Sequence, residues 1–431
     1  DVLISEGFFP SKADPDIWMR DKEDHYEYIA VYVDDLIIAS KEPAKIISML
    51  EKQHKFNLKG TGEVKYHLGC DFARDKDNIL YLQPKKYIDH MEETYTRWFG
   101  TKPSQKYSSP LEKNDHPELD TSPFLDTEGI KRYQSMIGAL QWSISLGRFD
   151  VATAVMTMSG FRVAPREGHM DRLKRMYGYV SKFKHAKIRL QTDKPDWSDI
   201  PEPDYDWAHS VYGHVKEDIP EDAPPPKGKS VKSTSYVDAN LYHDFLTGRA
   251  VTAVIHFLNK TPTDWFTKKQ NTVETATYGS EFVAARIAVD QIVDLRLTLR
   301  YLGVPIDGRS VLFGDNESVL KSSTLPQSTL KKRHNALSYH RVREAVASDW
   351  FLFFHIPGSE NPADILSKHW AYAQVWNQMR PILFLEWIPE GELDSAWIED
   401  SETLPFTKGK GSEKITPRKG KVSDGQTHAV T

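Results

Sequence analysis

The 431 residues are enough for two or three domains, each with a core of its own. Hydrophobic residues at 39% against 27% charged describe an ordinary soluble chain, more polar than average, and a net charge of −5 argues against a uniformly basic wrapper of nucleic acid. Cys70 is the only cysteine, which excludes an internal disulfide framework and a cysteine zinc site and fits a reducing compartment. No run is apolar enough to span a membrane and no signal peptide is recognisable, so an intracellular, cytoplasmic protein is expected. The chain opens on Asp1 and enters at once into Val2-Leu3-Ile4, the look of a piece cut from a longer polyprotein.

Gly7-Phe8-Phe9 and Asp14-Pro15-Asp16-Ile17-Trp18 predict a turn leading into a strand. The most distinctive stretch comes next. Ile29-Ala30-Val31-Tyr32-Val33 meets Asp34 and Asp35 and runs on as Leu36-Ile37-Ile38-Ala39. β-Branched residues favour strands in both arms while adjacent carboxylates belong in a tight connection, so a hairpin with two acids at its bend is expected. Neighbouring carboxylates on a rigid tip repel unless a hard divalent cation lies between them; from this stretch alone a metal site and a solvated Asp-Asp turn are both open. Ile46, Ile47 and Leu50 place an amphipathic helix over 42–54, residues 64–72 and 79–82 make a second hairpin around Asp75-Lys76-Asp77-Asn78, and 85–95 should be helical.

From 102 to 127, Pro, Ser, Asp and Lys without a period read as a linker. Ile130, Tyr133, Ile137, Leu140 and Ile144 mark one helix, Val151, Val155, Met158 and Phe161 a second, and Met170, Leu173, Tyr177 and Val180 a third that starts at Pro165. Residues 193–229, rich in Asp, Glu and Pro, read as an acidic, extended linker. Beyond it, strands at 233–239, 251–258 and 263–267, a long helix over 273–302, a strand at 310–313, a short helix near Ser318, a helix over 330–347, a strand at 350–356 and a helix after Asn361 predict a mixed α/β sheet. Lys408-Gly409-Lys410 and Arg418-Lys419-Gly420-Lys421 mark a disordered basic tail.

In that last unit, acids stand where elements end or begin. Asp238 closes the first strand, Glu281 lies near the start of the long helix, Asp315 follows Val311-Leu312-Phe313-Gly314, and Asp364 opens the last helix. Strand ends and helix starts converge along one edge of an α/β sheet, so the four can meet. Singly, Asp315 reads as well as a strand-end residue and Asp364 as a helix-start acid favoured by the macrodipole. Carboxylates without a Cys or His cluster select Mg²⁺ or Mn²⁺ over Zn²⁺, and two such ions about 4 Å apart suit in-line displacement at a phosphodiester. His334 and His340 are badly spaced for one face of a helix, which argues against a shared metal. With Lys331, Lys332, Arg333, Arg341 and Arg343 they read as a phosphate-facing segment or as a solvated basic face. Trp265 and Phe266 read as core or as a stacking platform.

Val31-Tyr32-Val33-Asp34-Asp35-Leu36-Ile37-Ile38-Ala39, followed by Tyr66-His67-Leu68-Gly69, resembles the palm of the reverse transcriptase of copia-type long-terminal-repeat retrotransposons. Tyr133-Gln134-Ser135-Met136-Ile137-Gly138-Ala139-Leu140 and Arg148-Phe149-Asp150-Val151-Ala152 are similar to that family's connecting helices. Tyr236-Val237-Asp238-Ala239, Trp265 with Lys268-Lys269-Gln270, Gly279-Ser280-Glu281-Phe282, Gly314-Asp315-Asn316, His334 and Ala363-Asp364-Ile365-Leu366-Ser367-Lys368 resemble its ribonuclease H domain.

The resemblance implies an α/β and α+β multidomain Pol fragment. It would comprise a partial palm at 1–101, a linker at 102–128, a helical connection at 129–192, an acidic Pro-rich linker at 193–230, a ribonuclease H-like five-stranded sheet with helices at 231–370 and an extension at 371–431. It implies Asp34 and Asp35 as polymerase metal acids, the 66–82 hairpin as a primer grip, and Asp238, Glu281, Asp315 and Asp364 as the nuclease's catalytic, metal-binding quartet, with Asp238 bridging both Mg²⁺ ions. Tyr32, Lys268, Lys269, Gln270, Lys332, Arg333, His334 and Arg341 are then the expected nucleic-acid contacts. An RNA/DNA hybrid, template RNA, primer and other polyprotein segments are the expected partners, with no membrane, in the cytoplasm or in virus-like particles. The family's palm has a further metal-binding Asp and fingers upstream, and Tyr278 stands where its nuclease helix has an additional acid. The expected activity is therefore hydrolysis of the RNA strand of hybrids, with DNA synthesis belonging to the full-length parent. The alternative is a catalytically silent nucleic-acid-binding or structural remnant.

Overall fold

The computed structural model describes residues 2–383 except 199, 201, 202, 204 and 214, and only the backbone of 372–377. The expected basic tail lies outside the described residues. Among the described residues no helix is long and apolar enough to cross a membrane.

Helix α1 (Val2–Ser5), strands β1 (Phe9–Pro10), β2 (Ile17–Asp21), β3 (Tyr26–Tyr32) and β4 (Asp35–Ala39), and helix α2 (Pro43–Lys52) form the first unit. Its sheet is antiparallel in the order β1-β2-β3-β4, and Ile29 packs beneath α2 against Ile46 and Leu50. The expected hairpin is present with a shifted bend. Tyr32 pairs with Asp35, so the turn is Val33-Asp34 and Asp35 already belongs to β4. Val33 takes φ 53°, a left-handed backbone that β-branched residues rarely adopt.

The strand expected over 64–72 is broken. Leu68 and Gly69, at φ 49° and 96°, make a tight turn between β5 (Tyr66–His67) and β6 (Cys70–Arg74). A Cβ on Gly69 would stand 2.9 Å from Leu146 Cδ1, so glycine answers both the turn and the close approach. Strand β7 (Leu80–Gln83) and helix α3 (Lys85–Phe99) follow. Cys70 is buried, as expected of a small core residue, and burial pushes its thiol up to about 11.

Helices α4 (Thr127–Ser145), α5 (Ala152–Ser159) and α6 (Glu167–Lys182) match the three predicted ones. Asp126 caps α4 by accepting the Gly129 N–H at 2.7 Å. Strand β8 (Ile188–Arg189) returns to pair with β7. The segment expected to be a linker is fastened along α6. Arg172 pairs with Asp115 at 2.8 Å and Asp120 at 2.7 Å, and Leu111 is buried.

The third sheet has the order β11-β10-β9-β12-β13, built from β9 (Ser233–Asn240), β10 (Val251–Leu258) and β11 (Thr261–Lys269), then helix α7 (Thr277–Tyr301), β12 (Ser310–Gly314), helices α8 (Glu317–Thr324) and α9 (Ala336–Ala347), and β13 (Phe351–His355). Strands β9 to β11 are antiparallel, while β12 and β13 run parallel to β9. Helices α10 (Asp364–Ser367) and α11 (Tyr372–Leu383) close the described chain. The central strands are buried on both faces. Val237, Ala239, Val254 and Leu312 pack with Phe282, Ala285 and Val289 of α7. Tyr236, Ala253, Ile255 and Phe313 belong to the core that also holds Tyr133, Phe149, Val155 and Leu173 of the connection. Connection and third sheet thus share one core.

The described residues of 193–229 form no helix or strand. Glu217 pairs with Arg296 and Arg300 of α7, Lys227 with Asp21, and Asp222 with Lys12, while Tyr28 Oη donates to the Leu302 carbonyl at 2.7 Å. The acidic segment is a strap between α7 and the first sheet.

Candidate active site

Parallel pairing sets the centre of the site. Val237 is in register with Gly314, so Asp238 near the end of β9 and Asp315 just past β12 are neighbours across two strands that run the same way. Glu281 enters from the first turns of α7 and takes a backbone hydrogen bond from Ala239. One carboxylate oxygen each of Asp238, Glu281 and Asp315 lies within 4.8 Å of the others, and Asp238 and Glu281 are buried. Asp364 stands just outside that group, linked to it by Lys368, whose ammonium contacts the Asp364 carboxylate and lies 3.4 Å from Asp238 Oδ2.

Burial and like charge act together here. Burial, then Asp238 and Asp315, push the Glu281 carboxyl well above the usual range. Burial followed by Asp238 raises the proton affinity of Asp315 and Asp364 as well, with Lys368 opposing. Burial works against the charge of Lys368, but Asp238, Asp364 and Asp315 outweigh it and raise its proton affinity.

Neighbouring residues fix these positions. Asn361, fully buried, donates to the Val237 carbonyl at 2.9 Å and accepts the Ala363 N–H at 3.1 Å, which pins the start of α10 to β9. Ser367 donates to Asp238. A Cβ on Gly358 would stand 3.0 Å from Asp315 Oδ2, so the glycine leaves that carboxylate room. His355 Nε2 lies 3.1 Å from the Asp315 carbonyl.

Asp34 and Asp35 sit elsewhere, exposed on the first hairpin, with Tyr32 53% exposed beside them. Among the described residues no third acid or histidine closes on them. Of the expected nucleic-acid contacts, Lys268 and Arg333 are exposed and Lys332 is half-buried. Lys269 is held by Asp244 at 2.6 Å, Arg341 by Asp290 at 2.9 Å, and His334 Nε2 lies 3.1 Å from Glu274. Gln270 is a correction. It is 3% exposed and donates to Thr252 Oγ1 at 3.0 Å and to the Ser280 carbonyl at 2.8 Å, so it steadies the helix start that carries Glu281. Arg343 is another. Buried, it donates to the carbonyls of Ser322, Leu325 and Pro326 and closes the end of α8. Trp265 follows the core reading, with its ring 5.0 Å from Phe149 and its Nε1 donating to the Ile144 carbonyl at 3.1 Å.

No protein-family model matches the chain. The retrovirus-related Pol polyprotein from transposon RE1 of Arabidopsis thaliana is 23% identical over 367 residues, covering 85% of this chain and 22% of the relative. That from transposon TNT 1-94 of Nicotiana tabacum is 24% identical over 375 residues, covering 85% and 25%. The chain is a homologue of transposon Pol polyproteins. It spans about a quarter of the length of these Pol relatives. A putative transposon Ty5-1 protein of Saccharomyces cerevisiae is 28% identical over 183 residues, 42% of this chain and 56% of that protein. Among solved structures, ribonuclease H1 of Halobacterium salinarum aligns at 17% identity over 32% of this chain and 94% of its own, with a TM-score of 0.25. A foamy viral protease-reverse transcriptase in complex with an RNA/DNA hybrid aligns at 12% identity over 36% and 22%, with a TM-score of 0.24. Scores of that size decide nothing about the fold, which is read from the sheet order and register.

Lys368, Asn361, Ser367 and Gly358 were not assigned a role from the sequence. Lys368 carried a signal, since it follows Asp364 by one helical turn and so shares its face. Asn361 and Gly358 carried none, because Asn and Gly before a helix are ordinary turn residues.

Proposed function

We propose that this chain is part of the Pol polyprotein of a copia-type retrotransposon and that its third sheet carries a ribonuclease H-type nuclease, hydrolysing the RNA strand of RNA/DNA hybrids with Mg²⁺ or Mn²⁺. The observation that carries this reading is the convergence of Asp238, Glu281 and Asp315 oxygens within 4.8 Å of one another. A donor set of carboxylate oxygens fits a hard divalent cation, and burial followed by like charge raises the proton affinities of Glu281 and Asp315, a cost that such a cation relieves. Asp238, Glu281, Asp315 and Asp364 would hold it. When bound, it supplies positive charge that activates a water and stabilises charge developing on the phosphodiester. Asn361, Ser367 and Gln270 keep the acids in place, and Lys368 shields Asp238 and Asp364 from each other.

RNA-directed DNA synthesis, with template RNA and primer, belongs in this proposal to the longer parent, acting in the cytoplasm or in virus-like particles. Asp34 and Asp35 would contribute two of its metal acids and Tyr32 a contact on the nucleic-acid path. With no third ligand among the described residues, primer extension by this chain alone is not expected.

One observation favours a silent remnant instead: Asp364 lies outside the three-acid group and is paired with Lys368. One assay separates the two. Given an RNA/DNA hybrid and Mg²⁺, the chain should cleave the RNA strand. Asp315→Asn should lower that rate by about a hundredfold or more, the scale of losing one preorganised electrostatic group. The variant should also melt no lower than the parent without divalent ions, because it removes a charge from a repulsive group. No cleavage by the parent leaves the silent reading standing, and equal cleavage by the variant overturns the acid-cluster mechanism.

A further inference from the structure

The loop between β9 and β10 exposes apolar side chains next to the acids: Tyr242 is 48% exposed, Phe245 58% and Leu246 69%. It is nonetheless tightly fixed. Asp244 accepts the N–H groups of Leu246 and Thr247, both at 3.1 Å, is paired with Lys269, and offers its carbonyl to Gly248 N–H at 2.8 Å. The Phe245 N–H donates to Glu118 Oε1 at 3.0 Å, and its ring stacks on His116 with centroids 3.8 Å apart and planes 21° off parallel. His116 and Glu118 come from the segment fastened to α6, so the nuclease unit does not build this feature alone. Tyr242 and Phe245 line the same cleft as Asp315, Asp364 and Lys368, together with Lys113 and Asn240. His369 lines it too, and its shielded Nε2 has no hydrogen-bond partner among the described residues.

We infer that Tyr242 and Phe245 form a stacking ledge for the nucleotides that flank the phosphodiester presented to the acids. This rests on the nuclease reading above. Aromatic faces held rigidly beside a reaction centre accept a base or sugar of any sequence, which suits an enzyme that must process a whole hybrid. Lys113 and Lys368 supply positive charge beside the ledge, and Asn240 supplies hydrogen bonds, so the wall is mixed in the manner of a nucleic-acid surface rather than a continuous apolar patch. Because His116 braces Phe245, the connection helps to place the substrate of the nuclease.

The test is fluorescence anisotropy with a labelled RNA/DNA hybrid in EDTA, which reads binding without cleavage. The double variant Tyr242→Ala, Phe245→Ala should raise Kd about tenfold or more, the scale of losing base stacking, while the salt slope stays unchanged because no charge is removed. Phe245→Trp should bind as the parent does, which separates lost stacking from lost folding. Equal Kd for parent and double variant overturns the ledge while leaving the nuclease reading intact. A changed sedimentation coefficient with unchanged hybrid Kd also overturns it, in favour of self-association. A parent that binds no hybrid overturns both.

Discussion

The two acidic features differ in how they deal with repulsion. Asp34 and Asp35 are adjacent in sequence and exposed at the tip of one hairpin, where water screens them. Asp238, Glu281 and Asp315 are far apart in sequence and meet because two parallel strands and one helix start share a sheet edge. Burial, then the neighbouring carboxylates, raises the proton affinity of Glu281 and Asp315. Adjacent acids can therefore be tolerated without a ligand, whereas a buried cluster calls for a cation. The second arrangement also depends on a wide scaffold, because the helical connection shares the core on the back of the sheet.

That dependence gives the largest expected effect. Arg148 and Asp150 are fully buried and form a two-point pair at 2.9 and 2.7 Å, and Tyr179 Oη adds a hydrogen bond to Asp150 at 2.8 Å. Arg148→Met leaves Asp150 buried and unpaired, which should cost about 3–5 kcal/mol. The pair lies in the connection, yet Phe149 packs on Trp265 of β11. Urea unfolding followed by tryptophan fluorescence and by hybrid cleavage should therefore show both signals shifting together. Loss of the connection with hybrid cleavage retained would break the comparison, by showing that the third sheet stands alone.

A smaller effect should follow pH. Burial, then His369, holds the His243 pKa down to about 3, and burial holds that of His369 at about 4, against an ordinary 6.5 for both. Asp115 and the charges of His116, Lys269 and Arg172 also act on His369, while Lys269, Glu118 and Asp244 act on His243. Between these values the unfolded chain binds protons at the two histidines that the folded chain refuses, so their contribution to stability is full above about 6.5 and falls as pH drops towards 4, opposed by the buried acids with raised proton affinity. Thermal melting of the parent should show that decline, and His243→Gln should flatten it. An unchanged slope in the variant would mean that the cleft wall is open to water, as the hairpin tip is.

Much of this architecture was legible because periodicity reports burial. Three helices of the connection and all five strands of the third sheet follow from apolar spacing, and the four acids were found by asking where those elements end. What stayed hidden was held by contacts without a period. The segment before α4 is fixed by Arg172 with Asp115 and Asp120, an ionic fastening that reads in sequence as polar linker. The break at Leu68-Gly69 lies inside a run whose Val64, Tyr66 and Phe72 favour a strand. In sequence Gln270 reads as a nucleic-acid contact and Arg343 as part of a phosphate-facing or solvated basic segment, because long polar side chains usually face outward, and here each is buried on backbone carbonyls. Lys368 shares a helix face with Asp364 in sequence, but its approach to Asp238 depends on the tertiary fold.

The smallest expected effect belongs to the hairpin itself. Val33 is 82% exposed and takes φ 53°, so it contributes little burial and holds a backbone conformation that is strained for a β-branched residue. Val33→Gly removes that strain but frees the unfolded chain, and the two effects, each about 1 kcal/mol, oppose each other. A net change within about 1 kcal/mol in either direction is expected in denaturant titration, with hybrid cleavage untouched because no hairpin residue lines the acidic cleft. A loss of cleavage would join the two acidic features into one site. A loss of several kcal/mol would mean that the tip is packed against something after all. The outcome expected here leaves the tip as a locally determined turn, whereas the same scale of change at Asn361, which pins α10 to the strand carrying Asp238, should be felt at the acids directly.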